Sequence, residues 1–252
     1  MRAVALPALV YLLLAVMVTW PSVVDLNGSI PGAEDSEVWT TFWSHQHVFQ
    51  CIREGTPLFF TEQLNFPQGG MVVPTDLMGA VLSLPLAFLF APMGAFTLQI
   101  VFQLTFAGWT IHMFSQDLLS HKDGGERLRW GPWVSGFSLM ISSLLVSHLH
   151  NGAVEALSVG WTILAVWMGW RASIRRSLRA SAWAGVCLAL AFTSHWYGGV
   201  VAFIFGVALL MSRDDQAGVF AARYRFATLG FGLLFILPIG YGLAQAERNE
   251  TS

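Results

Sequence analysis

The chain has 252 residues, 55% of them hydrophobic and 11% charged, with a formal net charge of −2. Charge this sparse, with no basic run interleaved with aromatics, excludes a nucleic-acid surface. The two cysteines form no CxxC, CxxCH or zinc-ligand spacing, which excludes a disulfide scaffold and a cysteine metal centre.

The apolar residues gather in runs of roughly 16 to 22, the length that crosses a bilayer as a helix. The expected fold class is therefore all-α, a polytopic transmembrane helix bundle forming a single domain over residues 1–252. The first run, Ala3 to Trp20, follows Arg2, and Val18, Thr19, Trp20 and Pro21 stand where a small-x-small cleavage site would be. It reads as a retained first span, 1–20, rather than a signal peptide. Residues 21–76 form a polar loop, residues 77–242 hold the remaining spans, and 243–252 is a tail. Those spans are Phe96 to Leu118, Pro132 to Ser147, Val154 to Trp170, Ala180 to Ser194, Gly198 to Met211 and Phe226 to Gly242. Leu77 to Phe90 is shorter, about 14 residues with Pro85 inside it, and reads as a re-entrant or interfacial piece.

Orientation follows from the basic residues, which are retained in the cytoplasm. With Arg2 inside, the groups at Lys122, Arg127 and Arg129, at Arg171 to Arg179, and at Arg213 to Arg225 all fall inside, leaving Arg53 and Arg248 outside. The predicted location is an integral inner (cytoplasmic) membrane of a bacterium with a cytoplasmic N-terminus. The loop 21–76 is then extracytoplasmic, and so are the turns at His148 to Ala153 and at His195 to Gly198.

Within the loop, Pro31 to Glu37 is a turn leading into a helix start. From Val38 onward Trp39, Phe42, Trp43, Phe49 and Ile52 recur at helical spacing, with Thr40, Thr41, Ser44, His45, His47 and Gln50 between them. That pattern predicts an amphipathic helix lying on the outer membrane surface with its aromatics in the headgroups. Arg53-Glu54-Gly55-Thr56-Pro57 ends it, and Asn65 to Gly70 makes a tight turn before Asp76. Asp35 is placed to cap a helix beginning at Ser36, and Glu34 and Glu37 read as first-turn charges favoured by the helix dipole.

Glu155 stands just inside a span, which is costly unless it reaches water, a partner or a polar cavity. His148, His150 and His195 fall at outer span ends, either as locally bonded interfacial rings or as contacts to a phosphate or sugar. Trp196-Tyr197 suits an aromatic belt or a sugar-stacking platform. Among the histidines His112 alone lies deep in a predicted span, so no pair of axial haem ligands is indicated. His45 and His47 could join Asp35 or Glu37 around a divalent metal, but an i, i+2 spacing puts the two rings on different helix faces. The sequence therefore calls for no metal and no cofactor.

The order of an acidic pair after the first helix, an aromatic helix ending in Arg53-Glu54-Gly55-Thr56-Pro57-Leu58-Phe59, then Asn65-Phe66-Pro67-Gln68-Gly69-Gly70, Asp76 and Leu84-Pro85-Leu86, resembles a large group of bacterial polytopic proteins. These look like relatives of the GT-C glycosyltransferases, membrane enzymes of the cell envelope. The likeness continues through His148-Leu149-His150-Asn151-Gly152, Glu155, Trp161 and Ser194-His195-Trp196-Tyr197-Gly198. It implies a GT-C-like fold and an inverting transfer of a sugar from a polyprenyl-phosphate donor, held in membrane lipid, to an extracytoplasmic acceptor. Carried onto this chain, the catalytic base would be Asp35 or Glu37, with Glu34, Arg53, His148, His150, Glu155, His195, Trp196 and Tyr197 as substrate-binding candidates. Members of the group are generally longer, so the chain reads as an N-terminal half whose remainder is further sequence or a partner subunit. The outer side also carries little cationic charge to compensate a leaving phosphate. The alternative is a non-catalytic membrane subunit that docks a partner through its first outer loop.

Overall fold

The computed structural model describes residues 2–123, 130–175 and 178–211, and the chain over them is mostly helical. The predicted span 226–242, the tail, and Arg127, Arg129, Arg176, Arg213, Arg223, Arg225 and Arg248 lie outside the described residues. In chain order the helices are α1 (Arg2–Val18), α2 (Val38–Glu54), α3 (Leu77–Ala87), α4 (Pro92–Asp123), α5 (Gly131–Met140), α6 (Ser143–Asn151), α7 (Val159–Arg175), α8 (Leu178–Ser194) and α9 (Trp196–Met211). A short 3-10 helix, Val154–Ser158, links α6 to α7. Between α2 and α3 two short antiparallel strands pair Phe60 with Met71 and Thr61 with Gly70.

The long helix α4 is the central post, packed against α1, α3, α5 and α7. Its buried residues Phe96, Ile100 and Leu104 meet Tyr11 and Ala15 of α1, Met140 of α5 and Leu145 of α6 in the main core. A second core joins α7, α8 and α9 through Ala165, Cys187, Leu188, Ala191 and Ala202. Small residues dominate it, which lets the helix backbones approach closely. At the far end of α4 from the first loop, Asp117 ties it to α7. Its Oδ2 accepts from Trp167 Nε1 at 2.9 Å and from Arg171 Nε at 2.5 Å, and the Arg171 guanidinium lies over the Trp167 ring at 4.6 Å.

Among the described residues two stretches, Pro92–Ser120 and Gly131–Asn151, are long and apolar enough to cross a membrane. The second is only 28% buried within the protein, so Val134, Phe137, Ile141 and Leu144 face outward. Leu6, Leu9, Leu13 and Met17 of α1 and Phe203, Ile204 and Phe205 of α9 are exposed as well. Exposed apolar surface on this scale marks contact with lipid or protein. With 11 residues α3 is about 16 Å long, well short of a bilayer core.

Two local expectations are corrected. The predicted span 132–147 is broken at Ile141–Ser142, where the Ser142 hydroxyl caps α6 by accepting from Leu145 N at 3.3 Å. Because α6 then runs to Asn151, His148 and His150 sit in a helical last turn rather than in a loop. Helix α2 starts at Val38, with Glu37 at its N-cap position making no side-chain cap bond, so Asp35 does not cap it. The two faces of α2 differ in burial. The side turned into the protein carries Thr41, Ser44, His45, Val48 and Cys51, whereas Trp39 and Ile52 are exposed. His45 and His47 are both buried in spite of their spacing.

The first loop is docked by backbone contacts to the end of α6. Ala33 N donates to His150 O at 2.9 Å and Glu37 N to Asn151 O at 3.3 Å. Gly152 makes this close approach possible: its φ is +75°, and a Cβ there would stand 2.3 Å from Val38 N. Gly152→Ala therefore combines a left-handed backbone cost with a backbone clash, and we expect it to lower stability by about 2 kcal/mol or more. Thermal unfolding in detergent checks this; a variant melting with the parent would show that the loop does not rest on this turn.

Candidate functional site

A pocket of about 440 Å³ opens where the α8–α9 junction meets the segment leading into α3. Phe192, Thr193, His195, Trp196 and Tyr197 form one wall, Val73 to Thr75 with Leu77 form the other, and Phe59 and Glu155 complete it. The aromatic wall follows from the local fold. His195 is the single residue between the end of α8 and the start of α9, so the reversal holds Phe192, Trp196 and Tyr197 around one point. Trp196 and Tyr197 lie ring on ring at 3.7 Å between centroids, and His195 is 5.5 Å from Tyr197.

Glu155 enters from the first turn of the 3-10 helix, half-buried, and its Oε2 accepts from the Thr41 hydroxyl of α2 at 3.4 Å. Burial pushes the His195 imidazole below its ordinary value of 6.5, partly offset by the carboxylates of Glu155 and Asp76 and reinforced by His148. His195 is thus neutral at pH 7, offering one N–H and one lone pair. Because its folded pKa lies below the unfolded one, the unfolded chain takes up a proton first as pH falls through about 6.5. The contribution of His195 is fully present above that pH and is lost on acidification toward the folded value. A His195→Asn variant should lose less melting temperature than the parent between pH 7.5 and pH 5.5; equal losses would remove the role of burial at this ring.

Behind the Thr75 and Leu77 wall lies a polar cluster with no counterpart among the predicted site residues. Asp76 is 0% exposed. Its Oδ1 accepts from Gly79 N at 2.8 Å, which caps α3, and its Oδ2 accepts from Gln103 Nε2 at 2.8 Å and Gln99 Nε2 at 3.4 Å. The His45 ring is edge-on to Phe96 at 5.1 Å, with Nε2 3.6 Å from Asp76 Oδ2. Gly79 leaves room for the carboxylate, since a Cβ there would stand 1.9 Å from Oδ2.

Of the residues singled out in the sequence, Glu155, His195, Trp196 and Tyr197 converge on the pocket. Glu34, Asp35 and Glu37 are exposed ahead of α2 and do not line it. Arg53 is exposed and pairs with Glu54 at 3.6 Å. His148 is half-buried, while His150 is exposed and contributes only its backbone carbonyl to the loop contact. Among the described residues no group of three or more His, Cys, Asp or Glu side chains is arranged to hold a metal.

Two signals for the missed residues were present. Asp76 directly precedes an apolar run, the position of a cap. Gln99 and Gln103, four apart in a predicted span, are costly there without a shared partner. No protein-family model, curated protein or solved structure matches the chain. The pocket is an apolar, aromatic cleft with one carboxylate and one neutral imidazole, suited to binding an amphiphile and to moving a proton.

Proposed function

We propose that the chain is a polytopic protein of the bacterial cytoplasmic membrane, GT-C-like in its first half, with its N-terminus in the cytoplasm. In this reading it transfers a sugar from a polyprenyl-phosphate donor to an extracytoplasmic acceptor at the Glu155–His195 pocket. One observation carries the assignment: Glu155, His195, Trp196 and Tyr197 line a single cleft beside the exposed apolar surface of α9.

Each residue has a chemical part. Glu155 takes the proton of the acceptor hydroxyl as its oxygen attacks the anomeric carbon. The bond from that carbon to the phosphate oxygen breaks, and the electron pair leaves on the phosphate, inverting the sugar centre. His195 N–H supports the leaving phosphate by a hydrogen bond. Trp196 and Tyr197 offer apolar faces to the sugar or to the first prenyl unit. The base is assigned to Glu155 because a useful carboxylate must be partly desolvated, and Asp35 and Glu37 are exposed.

The rival reading is a non-catalytic subunit that docks through α2, favoured by the outward position of Trp39 and Ile52. Turnover of a polyprenyl-phosphate hexose in proteoliposomes separates the two. Loss in Glu155→Gln with retention in Asp35→Asn supports the pocket. The reverse pattern returns the base to the first loop. Absence of transfer, with partner capture sensitive to Trp39→Ala, supports docking.

A further inference from the structure

Trp196 and Tyr197 belong to the first turn of α9, and each is 58% exposed. Val200 and Val201 stand four residues after them and Ile204 four after Val200, all three exposed, so an open apolar stripe runs along α9 from the pocket rim. An acyl chain lying on this stripe meets only apolar side chains. The pocket end is different. Phe59, Phe192, Trp196 and Tyr197 bring four aromatic side chains to it, Glu155 is the one carboxylate among its described lining residues, and none of those residues is Lys or Arg. The C-terminal end of α8 and the N-terminal end of α9 meet at His195, so their dipoles oppose one another and the sign of the pocket is left to Glu155.

We propose that this pocket binds the head of a membrane lipid that carries an ammonium group, with the lipid chain lying along α9. Aromatic faces attract a cation through the ring quadrupole, Trp most strongly, and the attraction grows as the cation loses water. Trp196 and Tyr197 lie ring on ring and are more than half exposed, which leaves ring surface free for a ligand. Glu155, half-buried, supplies the balancing charge that a partly desolvated ammonium needs. A purely anionic head would be repelled by the same carboxylate, with no Lys or Arg of the described lining to offset it. The volume of about 440 Å³ lies in the usual range for small-molecule sites, roughly 300–1,000 Å³. Binding of this lipid requires no transfer reaction. In the transfer reading its ammonium adds the positive charge that the lining does not offer a leaving phosphate.

The test is thermal unfolding of the full chain purified in a nonionic detergent, with phosphatidylethanolamine or phosphatidylglycerol of the same acyl chains added stepwise. The two lipids share the phosphate and the chains and differ in the ammonium. A ligand of the folded state alone raises the melting temperature. The expected result is a saturable rise with phosphatidylethanolamine that phosphatidylglycerol does not reproduce. In Trp196→Leu about tenfold more phosphatidylethanolamine should be needed for half the rise. Should that variant fail to fold, Tyr197→Leu carries the same expectation. Glu155→Gln should narrow the preference for phosphatidylethanolamine over phosphatidylglycerol. An equal rise with phosphatidylglycerol, no rise with either lipid, or an unshifted midpoint in both aromatic variants overturns the proposal. A full rise with ethanolamine alone overturns it too, by making the ligand a free amine. The readout is binding, so its failure leaves the transfer assay standing, and absence of transfer leaves the lipid result standing.

Discussion

Asp76→Ala should lower the stability of the folded protein by about 3–5 kcal/mol, the range for removing one member of a buried charged network. Gly79 N–H and the two glutamine amides lose their acceptor, and all three lie where water is excluded. Each orphaned donor costs about 1–3 kcal/mol, and relaxation around the smaller side chain recovers part of the sum. Loss of the cap also frees the first turn of α3, at about 1 kcal/mol. Asp76→Asn keeps an acceptor for Gly79 and should be milder. Fluorescence-detected thermal unfolding would measure the order. Finding Asp76→Ala as stable as Asp76→Asn would mean that the cluster does not hold α2, α3 and α4 together.

If the proposed glycosyl transfer runs at this pocket, Glu155→Gln should reduce it by about 10²- to 10⁴-fold, the usual contribution of a positioned general base. The substitution preserves shape, and its amide oxygen can still accept from Thr41, so the wall and the α2 contact remain. Only the capacity to take a proton goes. We expect the loss to fall on kcat with little change in KM, because in the proposed reaction the carboxylate acts on the acceptor proton in the transition state. Equal melting temperatures for the variant and its parent would exclude unfolding as the cause. Unchanged kcat in Glu155→Gln would remove the base from this pocket.

The helices were legible because apolar runs report length directly. Helix α4 covers the predicted 96–118, α8 and α9 match 180–194 and 198–211 closely, and the short 77–90 run becomes the 11-residue α3. Composition was blind where the run was continuous but the backbone was not. Ser142 and Ser143 sit inside an apolar stretch, and only the cap bond at Leu145 shows that a new helix begins. Helix α2 was legible as amphipathic. Its aromatics and its polar residues form two distinguishable faces, but periodicity alone does not say which face the protein takes. Here Thr41 and His45 turn inward, where they meet the polar groups Glu155 and Asp76.

Half of the candidate site was readable for a related reason. Glu155, His195, Trp196 and Tyr197 stood out as polar or amphipathic residues at span ends, where any such residue invites a role. Asp35 stood out too, and local sequence could not distinguish its exposure from the burial of Asp76.

From the sequence by itself came the helical class, the position of most helices and the membrane-compatible length of two stretches, because each depends on hydrophobicity summed along a contiguous segment. Tertiary structure alone decided which carboxylate is desolvated, which face of α2 is buried, and that residues 45, 76, 99 and 103 form one cluster while 59, 75, 155 and 195 line one pocket. Those outcomes depend on distances between segments far apart in the chain, and desolvation belongs to the assembled packing rather than to any residue within it.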